Sequence, residues 1–158
     1  MPIRGIGSQF IVDTQYQNMD QSDQQKGVPQ PPLELPYDTT QPLMDLPDPT
    51  TLALPPVDLR EIIEQRTTIR NYAQTPLSVL ELSHLLWCTQ GVKSAANNMA
   101  TRRTVPSAGA RHAFETFLLI NNVEGIDPGI YRFLAGEHKL LALELGERQD
   151  AIRRVTRA

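Results

Sequence analysis

The stretch RTVPSAGARHAFETFLLINNVEGIDPGIYRF, Arg103 to Phe133, sets a turn of small residues, a short apolar run and a second turn in close succession. Within it, ETFLLIN is rich in strand formers and EGIDPG is turn chemistry. Beyond it, IYRFL and HKLLALEL flank AGE as a hairpin. At its start, Pro106 fixes the entry of the chain, and Ser107 can cap a short helix through Ala108–Phe114. Gly109 lets another group approach the backbone closely. Together these residues expose N–H groups at a helix start, which suits an anion or an electron-rich ring edge.

Upstream, DLREIIEQRTTIRNY begins with Asp58 as an N-cap and sets Leu59, Ile62 and Ile63 on one helical face. The β-branched run Thr67, Thr68, Ile69 disfavours continuing the helix, so it stops near Arg66 at a polar, basic bend. In PLSVLELSHLLWCTQG, Ser78 and Glu81 stand at capping-box spacing and Gly91 closes the segment as a C′ residue. Val79, Leu82, Leu85 and Leu86 make its apolar stripe. The following KSAANNMATRR is small, polar and without periodicity, and reads as a mobile surface loop. At the other end, ERQDAIRRVTRA starts a helix near Glu147, with acids early and arginines late to match the helix dipole. Ile152 and Val155 then point toward a core. The expected class is α+β, an antiparallel or mixed sheet flanked by helices.

Composition narrows the organisation and the function. Ten of the 13 prolines precede Val57, so residues 1–56 read as an extended arm and residues 57–158 as the folded domain. The net charge of −3 gives no general attraction to phosphate polymers. The basic cluster of Arg148, Arg153, Arg154 and Arg157 falls on a solvated terminal helix, so nucleic acid is not an expected partner. Cys88, the single cysteine, excludes an internal disulfide and is expected to pack as a small hydrophobe in its helix. No apolar run reaches the ~20 residues of a membrane span, and the N-terminus lacks a signal-peptide pattern, so the default is a soluble cytoplasmic protein. No metal site is assigned. A second basic turn, Arg66 to Arg70, joins the Ser107 turn as the two halves expected for one pocket.

Read together, EQRTTIRNY, PLSVLELSHLLWCTQG and RTVPSAGARHAFETFLLINNVEGIDPGIYR resemble the FMN-dependent nitroreductase family, most closely its branch of SagB-type azoline dehydrogenases. The arm, with SDQQKGVPQPPLELP, is similar to that branch as well. The resemblance implies a flavin fold in which two subunits interlock as a homodimer with FMN at their interface. It places the FMN phosphate and ribityl chain on Arg66, Thr67 and Thr68, with Arg70 close by. Pro106, Ser107, Ala108 and Gly109 correspond to the family's turn beside the isoalloxazine ring. The implied reaction is ping-pong: NAD(P)H reduces the flavin, and a nitro, quinone or heterocyclic substrate follows it into the site. SagB-like members run the flavin in the oxidising direction. Arg111 and His112 stand where the azoline dehydrogenases carry an apolar-aromatic pair, and His112 is the candidate proton donor. Family domains continue beyond the point where this chain stops, at Ala158, so it is expected to be an amino-terminal part of the fold. The alternative expectation is a non-catalytic flavin-fold fragment or binding module completed by another segment or chain.

Overall fold

The computed structural model describes residues 5–96 and 99–156, apart from the side chains of residues 151 and 152. Arg157 and the side chain of Ile152 lie outside the described residues. The chain divides into two compact units, Met1–Pro31 and Pro32–Ala158.

In the first unit, helix α1 (Ile6–Asp13) is followed by a single 3₁₀ turn at Tyr16–Asn18. Thr14 closes α1 by returning both its N–H and its hydroxyl to the Phe10 carbonyl. None of the described residues of either element is buried, and Ile6 and Phe10 face solvent.

The second unit is an α+β fold. Its strands are β1 (Leu43–Asp45), β2 (Val92–Ala96), β3 (Ala100–Arg103), β4 (Thr116–Ile120), β5 (Gly129–Leu134) and β6 (Lys139–Leu145). Four of them form an antiparallel sheet in the order β1-β6-β5-β4, and β2 and β3 form a separate two-stranded ribbon. The helices are α2 (Leu59–Gln65), α3 (Val79–Gln90) and α4 (Gln149–Thr156).

The expected hairpin is present as β5 and β6, in which Phe133 pairs with Leu140 and Tyr131 with Ala142. Cross-strand partners share a face. Leu118, Tyr131, Phe133, Leu140 and Met44 therefore form one surface, and α3 covers it with Leu82 and Leu86. Full burial of each of these leucines stabilises the unit by roughly 1.5–3 kcal/mol. Strand β5 is also buried on its other face, at Arg132 and Leu134, so an alternating pattern fails there and the strand reads as continuously apolar apart from one arginine.

Helix α3 begins as its sequence requires. Ser78 Oγ accepts the Glu81 N–H at 3.2 Å, and the Glu81 carboxylate accepts the Ser78 N–H at 2.8 Å. Gly91 ends the helix, but its φ of −56° is not the left-handed C′ geometry expected. A Cβ at this position would lie 2.5 Å from the Trp87 carbonyl oxygen, so glycine is needed here for space. Asp58 caps α2 by accepting the Arg60 and Glu61 N–H groups, and α2 ends at Arg66 as the β-branched run predicts. Its Leu59, Ile62 and Ile63 remain exposed, as does Val155 of α4.

Three stretches differ from expectation. Residues 32–56, read as part of an extended arm, belong to this unit: Leu43–Asp45 is free of proline and pairs with β6, and Leu46 is buried. The stretch read as a surface loop forms the β2-β3 ribbon. Its Thr101 is buried, and Thr104 ties the ribbon's end to α3 through Gly91 O at 2.9 Å and Trp87 O at 2.8 Å. Cys88 does not pack inside; it is exposed, with Sγ 3.4 Å from His84 Nε2.

Candidate functional site

The Ser107 turn is built by backbone conformation rather than by a helix. Ser107 is extended, a single 3₁₀ turn covers Ala108–Ala110, and no helix continues to Phe114. The reason lies in three left-handed residues close together: Gly109 at φ 67°, Ala110 at 54° and His112 at 49°. Each reverses the chain, and for Ala110 and His112 this costs about 1–2 kcal/mol apiece. Ser107 Oγ accepts the His112 N–H at 3.0 Å, closing the turn on itself, and is not used as a helix cap. Arg111 pins the turn to the β2-β3 connection by donating Nη1–H to the Met99 carbonyl at 2.6 Å. Strain held by surrounding bonds in this way is common where a ligand must be met by backbone.

Beside this turn lies an open cavity of about 400 Å³ with a mostly apolar wall. Val105, Pro106, Ala108, Ala113 and Phe114 supply the apolar surface, and Gln90, Ser107, Arg111 and His112 supply the polar atoms. Gln90 reaches it from the last turn of α3. Its Oε1 accepts Arg103 Nη1–H at 3.1 Å, which leaves the amide NH₂ as the end of the side chain not engaged by Arg103. Arg103 is itself steadied by Nε donating to Thr101 Oγ1 at 3.2 Å. Burial pushes the His112 pKa down, and the neighbouring Arg103 charge lowers it further, against a hydrogen bond with the Thr101 backbone that raises it. At neutral pH His112 is therefore a neutral imidazole.

Of the residues singled out from the sequence, Pro106, Ser107, Ala108 and His112 line this cavity, and Gly109 lies in the same turn with nothing within 3.9 Å of where its Cβ would stand. Arg66, Thr67, Thr68 and Arg70 do not line it. They are exposed in the segment after α2, where Arg66 closes the helix with its N–H on Ile62 O at 3.0 Å. One copy of the chain does not bring the two expected halves into one pocket. Gln90 and Arg103 were not read from the sequence as site residues. The only signals for them were a glutamine at a helix end and an arginine just before the small-residue turn.

Behind the turn, Glu115 and Arg132 form a buried pair whose Nε–Oε2 distance is 3.1 Å. Arg132 also donates to the Leu35 and Pro36 carbonyls, and Glu115 accepts the Leu35 N–H at 2.6 Å. This network straps residues 34–37 to β5 and fixes the root of the turn where β4 begins. Among the described residues no group of three His, Cys, Asp or Glu side chains is placed to hold a metal ion, and no helix is long and apolar enough to cross a membrane.

Comparison with known proteins places this geometry in context. The Nitroreductase family description matches residues 63–155, more than half of the chain, and spans α3, the ribbon, the Ser107 turn and strands β4 to β6. A protein of Methanocaldococcus jannaschii whose name marks it as a candidate nitroreductase, MJ1384, is 30% identical over 87 residues, covering 55% of this chain and 42% of its own length. The trifolitoxin-processing protein TfxB of Rhizobium leguminosarum bv. trifolii is 28% identical over 82 residues, covering 51% of this chain and 22% of its own. The chain thus spans less than half the length of these curated relatives. With the family description matched across the site and the antiparallel sheet behind it, the chain belongs to the nitroreductase family.

Proposed function

We propose that this chain forms the flavin-binding part of an FMN-dependent oxidoreductase that works as a homodimer, takes electrons from NAD(P)H, and reduces a nitro, quinone or heterocyclic substrate. The observation that carries the reading is the Ser107 turn, whose strained, glycine-containing backbone borders a mostly apolar cavity. Its volume of about 400 Å³ falls within the range that small-molecule sites occupy. The residues fit the cofactor. An apolar wall beside an open glycine suits a flat ring, and the two guanidinium groups and two hydroxyls of the Arg66–Arg70 turn suit a phosphate and a polyol chain.

Because a single copy keeps the Arg66 turn away from the cavity lining, the reading sets the Arg66 turn of one subunit against the Ser107 turn of the other. The exposed Leu59, Ile62, Ile63 and Ile69 around the Arg66 turn are the apolar surface such a contact would cover. When bound, FMN supplies the hydride chemistry, so no side chain is required for that step. The chain's own residues bind, orient and shield. His112, held neutral by burial and by Arg103, serves as cavity wall and is a poor source of protons at neutral pH. The likeness to the trifolitoxin-processing protein supports a place in the SagB-type branch.

The experiment is direct. Purified protein is tested for a flavin absorbance band, for its release of FMN on denaturation, and for anaerobic bleaching by NADH and NADPH. A yellow protein bleached by either supports the reading, whereas a protein that stays colourless after incubation with FMN overturns it and leaves a non-catalytic module.

A further inference from the structure

Another cavity, of about 320 Å³, shares no lining residue with the one beside the Ser107 turn. It is walled by Trp87 of α3, by Asp48, Pro49 and Thr50, and by the turn between β5 and β6. Its volume lies at the lower end of the range for small-molecule sites. Its charge is of one sign: Asp48 and Glu137 line it, and among the described residues no lysine or arginine does. Each carboxylate is held through one oxygen. Asp48 Oδ1 accepts the Thr50 N–H at 2.9 Å and the Thr50 hydroxyl at 2.6 Å, and these bonds hold its carboxyl below the ordinary carboxylate range. Glu137 Oε1 accepts the Tyr37 hydroxyl. These bonds orient both groups and leave Asp48 Oδ2 and Glu137 Oε2 as further acceptors. Among the described residues neither acid belongs to an ion pair. His138, also in the lining, does not offset them: burial lowers its pKa, so it is neutral at pH 7, with Nε2 2.7 Å from Ser83 Oγ.

We propose that this cavity binds a small organic ammonium ion, with Asp48 and Glu137 taking the charged nitrogen and Trp87 packing against its apolar body. The inference goes beyond the flavin reading and does not depend on it. An ammonium N–H donates to a carboxylate through a charge-assisted hydrogen bond, which a neutral hydroxyl of the same shape forfeits. An indole adds attraction for the cation and contact area for the carbon skeleton beside it. A hard inorganic cation is the competing source of positive charge. It asks for six or more oxygen ligands, whereas among the described residues no group of three His, Cys, Asp or Glu side chains is placed to hold a metal.

Trp87 is the single tryptophan of the chain, so its fluorescence reports on this cavity directly. Phenethylamine, its neutral counterpart 2-phenylethanol, and magnesium chloride are titrated into the full chain, as purified, and calorimetry repeats each titration. The proteins are the wild type, Asp48→Asn, Glu137→Gln and the double variant, with FMN affinity measured in parallel by flavin fluorescence. Each substitution keeps the oxygen that Thr50 or Tyr37 engages, and circular dichroism verifies that each variant is folded. The wild type is expected to prefer the amine by about tenfold or more, the scale of one charge-assisted hydrogen bond. Each single variant should lose part of that preference and the double variant all of it, with binding of the alcohol and of FMN unchanged. Equal binding of amine and alcohol by the wild type, or binding of neither, would overturn the proposal without need of any variant. So would a preference that survives in the double variant, or magnesium displacing the amine, which would assign the carboxylates to a metal. Failure of FMN to bind while the amine preference persists would overturn the flavin reading and retain the ammonium site.

Discussion

Arg132 and Glu115 are joined at 3.1 Å with both side chains largely out of solvent, and the same guanidinium holds the carbonyls of Leu35 and Pro36. A buried pair of this kind is costly to break from one side, because the remaining charge is left without its partner. Arg132→Met is therefore expected to destabilise the fold by about 3–5 kcal/mol. The double variant Arg132→Met with Glu115→Gln should be less destabilised than the single one. Urea denaturation followed by tryptophan fluorescence measures both, and a single variant as stable as wild type would remove the network from the account of the fold.

Gly91 and Gly109 both resist alanine, but for different physical reasons. At Gly91 the new methyl would meet a backbone oxygen at 2.5 Å, and that atom cannot move without disturbing α3. Overpacking of that kind costs typically 1–3 kcal/mol. At Gly109 there is room, and the cost is the left-handed φ of 67°, about 1–2 kcal/mol. Gly109→Val, which also fills the space beside the backbone, is expected to lower flavin occupancy while leaving the far-ultraviolet circular dichroism largely intact. Global unfolding of Gly109→Val would mean that the glycine serves only the fold.

Two imidazoles give stability a defined pH slope. His138 Nε2 lies 2.7 Å from Ser83 Oγ, whose own hydroxyl donates to the Pro47 carbonyl at 2.6 Å. Burial holds the His138 pKa down, partly countered by Asp48 and a backbone bond to Pro47. His112 is lowered too. The unfolded imidazoles take up protons near their ordinary 6.5 while the folded ones do not. Below that pH the unfolded state binds more protons, so stability falls as pH falls until the folded imidazoles also charge. His138→Asn, which tolerates the left-handed backbone at this position, should flatten the dependence of Tm on pH between neutrality and the carboxylate range. An unchanged slope would place the titration elsewhere.

Signals carried by neighbouring residues were legible in the sequence. Ser78 with Glu81 marked α3, Asp58 marked α2, and AGE between two apolar runs marked the β5-β6 hairpin, because caps and turns are decided within a few residues. The pairing of Leu43 with Leu141 was not legible, since it joins positions about one hundred residues apart in a proline-rich stretch. The β2-β3 ribbon escaped for a different reason. Its residues are small and polar, and it is tied to α3 by Arg103 and Thr104 rather than marked by strand propensity. At the Ser107 turn, the residues that favour a capped helix also favour a closed turn, and left-handed Ala110 and His112 decided between them. The polar wall of the cavity was hidden because Gln90 and Arg111 lie far apart in sequence and are brought to one cavity only by the fold.

The Arg66 turn offers a test that leaves the fold untouched. Arg66 and Thr68 are exposed, so Arg66→Ala and Thr68→Val should not shift Tm appreciably. If Arg66 holds the FMN phosphate, its loss should weaken FMN by about tenfold or more and riboflavin much less, because only FMN carries the charge. Thr68→Val removes one neutral hydroxyl bond and should cost less. Equal affinities for Arg66→Ala and wild type in a flavin fluorescence titration would take Arg66 out of the site.

The exposed apolar face of α2 provides the strongest check on the homodimer. Ile63 is 66% exposed and Leu59 71% exposed, so within one copy neither side chain contributes much to the core. Replacing Ile63 with aspartate should then leave monomer stability nearly unchanged, since surface changes of this kind usually stay within about 0.5 kcal/mol. In a dimer that covers this face, the same change buries an unpaired carboxylate and should shift the population to monomer. Because the Arg66 turn follows α2 directly, FMN affinity should fall together with the dimer. Size-exclusion chromatography with light scattering, read at both protein and flavin absorbance, follows the two quantities in one run. Loss of flavin without loss of dimer would place the turn at the site but α2 outside the interface, and an unchanged dimer with unchanged flavin would move the interface elsewhere on the chain.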